Sequence, residues 1–207
     1  TIKILDDGTP QKYLDKLKMK YPDLSICKSD FYDEKSLAVE NHPDKINPKI
    51  PIEFWVSEIK KATEYFLLLE DDIWFVSKLD LKVLEKTIEQ NNVVMTKLFW
   101  LNNPKLIQGD FQKKQDIYTL YKPKLYTLNP LIYFFIFYKF DCFKVRKLLS
   151  FFKIYTKDKA LNYYSIYSVA GAVFKKDYFL ELWKNHKNTV DEGLQLYNAV
   201  RYINRFK

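Results

Sequence analysis

Glycine is scarce in this sequence, and the spacing of its glycines excludes two common kinds of nucleotide-binding loop. Four glycines occur in 207 residues. They are Gly8, Gly109, Gly171 and Gly193, which lie too far apart to share one loop. The phosphate-binding loops of P-loop NTPases and of Rossmann dinucleotide-binding domains both need clustered glycines. The sequence therefore excludes both loops.

Cysteine and histidine are also scarce, which excludes several stabilising and metal-binding arrangements. With only Cys27 and Cys142, the chain has neither a disulfide scaffold nor a cysteine-based zinc site. His42 and His186 are too few for a three-histidine metal site. We expect both cysteines to be reduced, small buried side chains in an intracellular protein.

Long apolar runs are absent as well. The longest run, residues 131–138, has eight residues and ends at Lys139, whereas a helix needs about 20 apolar residues to cross a bilayer. No signal peptide opens the sequence. The chain begins at Thr1, without a methionine and inside a predicted strand, so we expect a missing or disordered leader. We expect a cytoplasmic location.

Charge and composition favour a single folded domain. Hydrophobic residues make up 47% of the chain, enough for a core, and 34 Lys and Arg against 26 Asp and Glu give a net charge of +8. The basic residues are spread evenly, and no RNA-binding or zinc-finger signature accompanies them. We therefore expect no nucleic-acid partner.

Strand and helix patterns alternate over residues 1–100. Short apolar runs typical of strands cover 2–5, 24–27, 65–69 and 93–101. Helical spacing of apolar residues covers 11–20, 52–59 and 80–90. Residues 29–51 are polar and contain three prolines, so we expect a long loop with one short helix. The alternation predicts an α/β domain whose mostly parallel sheet is flanked by helices.

The second half of the chain has a different pattern. Residues 110–170 are rich in Tyr and Phe without a clean period, and helical spacing returns near 178–183 and 196–203. We therefore expect one domain with two halves, residues 1–100 and residues 101–207, the second containing a helical and aromatic region.

Three adjacent carboxylates, Glu70, Asp71 and Asp72, follow the apolar run at 65–69, which we expect to be a strand buried on both faces. Adjacent carboxylates repel one another, and burying them without a partner is costly. Mg²⁺ or Mn²⁺ would offset this cost, because both prefer hard oxygen ligands. Ligands also bind at the carboxyl ends of strands in open α/β sheets. The alternative is an acidic turn on the surface.

Two further acidic positions are candidates for binding or catalysis. Asp6 and Asp7 end the first predicted strand, where they would accept hydrogen bonds from a base or ribose, or else hold their own turn. Thr189 and Glu192 have the spacing of a capping box. Asp191 then lies in the first helical turn, where the helix dipole favours its charged form. We expect Asp6 and Asp7 to share one crevice with residues 70–72.

The order of these motifs resembles that of GT-A fold glycosyltransferases, in particular the inverting family-2-like enzymes. The matching segments are IKILDDGT at 2–9, ATEY at 62–65 leading to the triplet, GAVFKK at 171–176, and the acidic pair at 191–192. Glu70 opens the triplet where the family has Asp, and no counterpart of the family's first strand precedes residue 2. The small size and the Lys-, Phe- and Tyr-rich composition also resemble compact GT-A domains that large algal viruses encode for capsid glycans, which would imply the host cytoplasm.

The resemblance implies a nucleotide-sugar-binding half at 1–100 and an acceptor-binding half at 101–207. It implies that Asp72, with Glu70 or Asp71, holds Mn²⁺ or Mg²⁺ on the diphosphate of a nucleoside-diphosphate sugar, with a UDP-sugar favoured. Asp6 or Asp7 would meet the base or ribose. Asp191 would be the general base toward a hydroxyl of a glycan, glycoprotein or lipid-linked acceptor, with inversion at the anomeric carbon. Aromatic residues between 118 and 167 would shape the acceptor site.

Two other functions fit the same patterns. A nucleotidyltransferase shares the α/β sheet and the acidic metal site, but normally has a Gly-rich loop after its first strand, which this sequence lacks. A binding module of the same fold would recognise glycans or an anionic membrane without turnover. Residues 131–140, with Lys139, Lys144, Arg146 and Lys147 nearby, would form its peripheral membrane contact.

Overall fold

The computed structural model describes most of the chain, and the fold is given for those residues alone. They are residues 1–73, 75, 78–98, 109–114, 119–123, 125, 127–138, 144–156, 162–168 and 171–205. The chain divides into two compact units, Thr1–Lys61 with Asn185–Asp191, and Ala62–Lys184 with Glu192–Lys207. These units are structural, whereas the division at residue 100 was predicted for function, between a half that binds the nucleotide sugar and a half that binds the acceptor. That division stays a prediction.

The first unit is built around two parallel strands. Its elements are β1 (Lys3–Asp6), α1 (Gln11–Lys20), β2 (Ser25–Lys28), α2 (Tyr32–Asn41), a 3₁₀ turn (Pro43–Lys45) and α3 (Ile52–Lys60). Ile4 pairs with Ile26 and Leu5 with Cys27 in the parallel register. Parallel strands need a crossover connection, and α1 supplies it. Leu14, Tyr32, Ile52 and Ile59 form the buried apolar core of this unit.

Two sequence expectations for this unit need adjustment. Residues 29–51 contain a helix of ten residues, α2, rather than being mainly loop. The apolar residues of α2 lack clear helical spacing, which is why the sequence pattern understated this helix. Cys27 is a free thiol and is half-buried rather than buried. Cys142 lies outside the described residues.

An ion-pair cluster joins the sheet of the first unit to α3. The ammonium of Lys3 donates to Glu58 at 2.7 Å, and Lys61 also donates to Glu58. These two hydrogen bonds lower the pKa of Glu58 to about 2. The segment 185–191 is tied to the same unit through the amide of Ile50, which donates to the carbonyl of Asn188 at 2.8 Å.

The second unit contains a three-stranded antiparallel sheet. Its described elements begin with β3 (Tyr65–Leu68), α4 (Leu81–Asn91), β4 (Met95–Lys97), β5 (Gly109–Lys114) and β6 (Thr119–Pro123). They continue with α5 (Pro130–Ile132), a π-helical stretch (Tyr133–Tyr138), α6 (Val145–Phe151), a 3₁₀ turn (Asn162–Ser165), β7 (Ala172–Lys175), α7 (Lys176–Leu182) and α8 (Glu192–Arg205). The strand order is β3-β7-β4, and β5 and β6 form a separate antiparallel pair.

The prediction of a mixed α/β protein is confirmed, but a mostly parallel arrangement is not what the described strands show. Their parallel pairing is limited to β1 and β2. β3 and β4 each pair antiparallel with β7, so β3 and β4 point in the same direction without being neighbours. Alternation of strand and helix predicted this common direction. The same pattern could not predict that β7, which comes later in the sequence, lies between β3 and β4.

Aromatic side chains dominate the core of the second unit. Phe174 is fully buried and lies on the sheet face that also carries Phe66, with ring centres 6.0 Å apart. Phe179 of α7 packs against both rings, at 5.2 Å and 5.3 Å. The helical spacing at 178–183 therefore marks the face of α7 that covers the sheet. Among the described helices, none is both long and apolar enough to cross a membrane.

Candidate functional site

The turn after β1 positions Asp6. Its side chain is buried, and its Oδ1 accepts hydrogen bonds from the amide of Thr9 at 3.3 Å and from the hydroxyl of Thr9 at 2.6 Å. One carboxylate oxygen therefore holds the turn, as the alternative interpretation of this motif expects. The other oxygen, Oδ2, is buried and has no hydrogen-bond partner in the described part of the chain. Buried polar atoms are normally satisfied, so Oδ2 is a candidate acceptor for a ligand.

Asp7 is engaged differently from Asp6. Its two oxygens accept hydrogen bonds from the hydroxyl of Ser29 and the ammonium of Lys35. Lys35 is itself buried and also donates to the carbonyl of Lys49. Because both oxygens already have internal partners, Asp7 stabilises the loop around β1. The predicted contact with a base or ribose is therefore easier to assign to Asp6, and for both residues it stays a prediction.

Gly8 between these residues has no room for a side chain. Its φ is +143°, and a Cβ there would lie 2.6 Å from the Cβ of Lys35. We expect Gly8→Ala to destabilise the protein by about 1–3 kcal/mol, because the backbone conformation is strained for alanine and the clash displaces Lys35 from Asp7. Thermal unfolding measures the loss. Gly193→Ala, in the first turn of α8, is the control, and an equal loss in both variants would contradict this explanation.

The acidic triplet lies in a turn immediately after β3. The amide of Ile73 donates to the carbonyl of Glu70 at 3.3 Å and closes the turn. All three side chains are exposed, and so are Leu67 and Leu69. The expected burial of β3 on both faces is therefore wrong. Within its sheet, β3 is an edge strand that pairs with β7 alone among the described strands.

Because the triplet is exposed, the cost of burying three carboxylates is not a reason to expect a metal ion there. Partial desolvation of its carboxyl and, secondly, the charges of Asp72 and Asp71 raise the pKa of Glu70. Like-charge repulsion is therefore present in the cluster, although full burial is not. Within the described residues, no three His, Cys, Asp or Glu side chains converge into a complete metal cage. Mg²⁺ usually keeps several waters and takes one or two protein carboxylates with substrate phosphates, so the oxygen donors present fit Mg²⁺ or Mn²⁺.

The strand register places a cation at the same end of the sheet as the triplet, on the opposite edge strand. Leu68 of β3 pairs with Ala172 of β7, which pairs with Lys97 of β4. Residues aligned across neighbouring strands point to the same face, so Lys97 lies on the face that carries the aromatic core. Gly171 lies just before β7. A Cβ placed on it would be 3.3 Å from the side chains of Leu69 and Ile73. The residues that flank the triplet therefore pack against the start of β7.

Lys97 is in an unusual environment for a lysine. Burial lowers its pKa to about 8, because desolvation disfavours the ammonium. Its Nζ lies 5.9 Å from the ring centre of Tyr167, and the Tyr167 hydroxyl donates to Glu192 at 2.9 Å. A half-buried lysine, a tyrosine and a carboxylate therefore lie close together within the second unit. Sequence reasoning missed Lys97, although a lysine that interrupts the apolar run 93–101 was a signal for it.

Asp191 precedes α8 instead of lying in its first turn. The helix begins at Glu192, and the backbone carbonyl of Asp191 is 3.0 Å from Nε2 of His186. The predicted capping box is wrong, because the Glu192 carboxylate accepts from Tyr167 and the helix starts three residues after Thr189. Aspartate is nevertheless favoured immediately before a helix. The predicted role of Asp191 as base stays a prediction.

The predicted site residues are divided between the two units. Asp6, Asp7 and Asp191 belong to the first unit, and Glu70, Asp71 and Asp72 belong to the second. The prediction that Asp6 and Asp7 share one crevice with the triplet stays a prediction. Among the aromatic residues expected to shape an acceptor site, Tyr133, Tyr163 and Tyr167 are buried core.

No known protein family, curated protein or solved structure matches the chain. The motifs of the sequence and the geometry described above are therefore the basis for the function proposed below.

Proposed function

We propose that the chain is a metal-dependent glycosyltransferase of GT-A fold. It transfers a sugar from a nucleoside-diphosphate sugar, with UDP the favoured nucleotide, to an acceptor hydroxyl with inversion. The observation that carries the proposal is the acidic triplet after β3, at the end of the sheet where β4 also ends, with the half-buried Lys97. The order of motifs along the sequence supports it. A glycan, glycoprotein or lipid-linked acceptor and a cytoplasmic location are parts of the same proposal.

The triplet would hold the cation through Asp72 and Glu70, with Asp71 beside them. Mn²⁺ or Mg²⁺, when bound, would neutralise the charge that builds on the leaving diphosphate. The side chains at this end of the sheet, Lys97 among them, would hold the diphosphate in place. In the first unit, the buried Oδ2 of Asp6 would accept an N–H or O–H from the base or ribose.

The chemical step needs one general base and no protein nucleophile. The acceptor oxygen forms a bond to the anomeric carbon as the bond from that carbon to the diphosphate oxygen breaks. The carboxylate of Asp191 takes the proton from the acceptor hydroxyl, and the nucleoside diphosphate leaves with the electron pair. A single displacement of this kind inverts the anomeric configuration.

Lys97 gives the proposal a consequence for pH. Its ammonium would attract the donor diphosphate, so donor affinity should fall as the pH rises through about 8, where Lys97 of the donor-free protein loses its proton. The ring of Tyr167 lies near the Lys97 ammonium, and the Tyr167 hydroxyl donates to the carboxylate of Glu192. We expect Lys97→Met to bind donor at least about tenfold more weakly at pH 7, in line with the value of a charge-assisted contact. We also expect it to lose the pH dependence.

Calorimetric titration of donor from pH 6.5 to 9 tests this prediction. Lys86→Met, which removes an exposed lysine of α4, is the matched control and should bind as the wild type does. Equal donor affinity in Lys97→Met and Lys86→Met would contradict a role for Lys97 in donor binding.

The function itself is tested by calorimetry with a panel of nucleotide sugars, each with and without Mn²⁺. The proposal predicts that one nucleotide sugar binds and that its affinity drops in EDTA. Preferential binding of a nucleoside triphosphate would favour a nucleotidyltransferase. Failure of every nucleotide to bind, with or without metal, would contradict the proposal and favour a binding module.

A further inference from the structure

One segment of the chain, residues 124–156, is strongly basic. It contains six Lys or Arg and a single Asp, a net charge of +5 in a chain whose total is +8. The basic residues are spread evenly over the whole sequence, so the excess arises because acidic residues are almost missing here. Such a local imbalance indicates a surface that attracts anions.

The same segment exposes large apolar side chains. From α5 and the π-helical stretch, Leu131 is 65% exposed and Phe135 is 46% exposed. From α6 and the residues after it, Leu148, Phe151 and Phe152 are 57%, 80% and 60% exposed. Leu148, Phe151 and Phe152 have the i, i+3, i+4 spacing of one helical face. We call the described residues 131–138 and 144–154 the aromatic–basic segment.

The exposed side chains belong to a segment that is anchored in the second unit. Tyr133 is buried, with its ring centre 5.1 Å from that of Tyr163. Phe137 packs on Tyr155 at 4.7 Å, which joins the π-helical stretch to the residues after α6. The segment is therefore held by one set of aromatic rings while another set faces outward.

Basic side chains accompany the exposed apolar ones. Lys144, Lys147 and Lys153 are exposed, and none of these three has an ion-pair partner among the described residues. Their ammonium groups are thus available to anionic groups from outside the chain. Apolar side chains surrounded by lysines are the composition of segments that lie in the membrane interface.

We propose that the aromatic–basic segment binds the surface of a membrane that contains anionic phospholipid. Phe151, Phe152 and Leu148 would enter the headgroup region, while the lysines would contact lipid phosphates and carboxylates. A second copy of the chain is a poor occupant, because it would bring a second strongly basic segment against the first. Nucleic acid would satisfy the charges but leave the exposed apolar side chains in water. This proposal does not depend on the proposed enzymatic function.

Vesicle co-sedimentation tests the proposal with the full chain. Wild-type protein should bind vesicles of phosphatidylcholine with 30% phosphatidylserine, bind pure phosphatidylcholine vesicles much more weakly, and lose affinity as salt is raised. The double variant Phe151→Ser with Phe152→Ser should bind at least about tenfold more weakly, because two apolar side chains no longer leave water. Replacing Lys144, Lys147 and Lys153 by Glu should weaken binding by more than about 100-fold, at about fivefold or more for each residue.

Matched variants outside the aromatic–basic segment provide the controls. Met19→Ser with Leu37→Ser removes two other exposed apolar side chains, 76% and 64% exposed, and should bind like the wild type. Replacing Lys16, Lys20 and Lys86 by Glu gives the same change in net charge elsewhere and should weaken binding much less. Circular dichroism confirms that each variant is folded, which we expect because all the changes are at exposed positions.

Three results would overturn the proposal. The first is a wild-type protein that does not sediment with phosphatidylserine vesicles. The second is binding that is equal for neutral and anionic vesicles, or that the controls weaken as much as the segment variants do. The third is a concentration-dependent dimer, detected by light scattering and abolished by Phe151→Ser with Phe152→Ser, which would assign the surface to a second copy.

Discussion

Replacement of Asp72 by alanine is expected to lower the rate of sugar transfer by about 100-fold or more, since stabilisation of the leaving group by a metal is worth several kcal/mol. Asp72 follows β3 in an exposed turn, so the fold loses no buried contact. The charge of Asp72 helps to raise the pKa of Glu70. Removing it relieves repulsion, and the metal-free variant should unfold at the wild-type temperature or slightly above it. Turnover assays and thermal unfolding check the two parts separately.

The control for Asp72 is Glu89→Ala, which removes an exposed carboxylate from α4 without touching the triplet. It should retain the wild-type rate and the wild-type response to EDTA. If Asp72→Ala transfers sugar at the wild-type rate, or if the wild type is equally active in EDTA, the triplet is not a metal site for catalysis.

Replacement of Asp191 by asparagine is expected to lower turnover by about 10²–10⁴-fold, the usual contribution of a positioned general base. Donor affinity should hardly change, because the base acts on the acceptor hydroxyl. Asparagine is nearly as good as aspartate immediately before a helix, so α8 should keep its start at Glu192. Single-turnover rates and donor titrations of the same preparation separate the chemical effect from binding.

Glu192→Gln is the informative comparison for Asp191. Glu192 lies next to Asp191 in the sequence and accepts a hydrogen bond from Tyr167. Its replacement by glutamine therefore removes the adjacent carboxylate and leaves Asp191 in place. We expect a smaller loss of turnover than for Asp191→Asn. If Glu192→Gln abolishes turnover while Asp191→Asn leaves it intact, Glu192 is the base. If Asp191→Asn instead abolishes donor binding, Asp191 acts on the donor.

Local structure could be predicted from the sequence where one pattern decides it. Helix α1 has the predicted bounds, Gln11–Lys20, because apolar spacing begins after Pro10 and ends before Pro22. Helix α4 begins after Asp80, whose side chain accepts the amides of Lys82 and Val83 at 3.0 Å and 3.1 Å. Strand neighbours were not predictable in this way. The position of β7 between β3 and β4 depends on pairing over about a hundred residues.

In the candidate site, too, the short motifs could be predicted from the sequence, whereas contacts with residues distant in the sequence could not. The acidic triplet and Asp6 are visible in the sequence because they follow apolar strands. Their surroundings depend on distant residues: Lys35 engages Asp7, and Tyr167 engages Glu192. Lys97 is visible only as a lysine within an apolar run, and its low pKa results from packing that the run does not encode. The sequence therefore indicated candidate carboxylates, but not which of them have internal partners.

The most direct test of the proposed function is the release of nucleoside diphosphate from a nucleotide sugar in the presence of Mn²⁺, followed for the wild type and for Asp72→Ala. The proposal predicts that the wild type releases diphosphate and forms product with inverted anomeric configuration. It also predicts that EDTA or Asp72→Ala removes both activities while the protein stays folded. Release that continues at the same rate in EDTA, or a product with retained configuration, would contradict it.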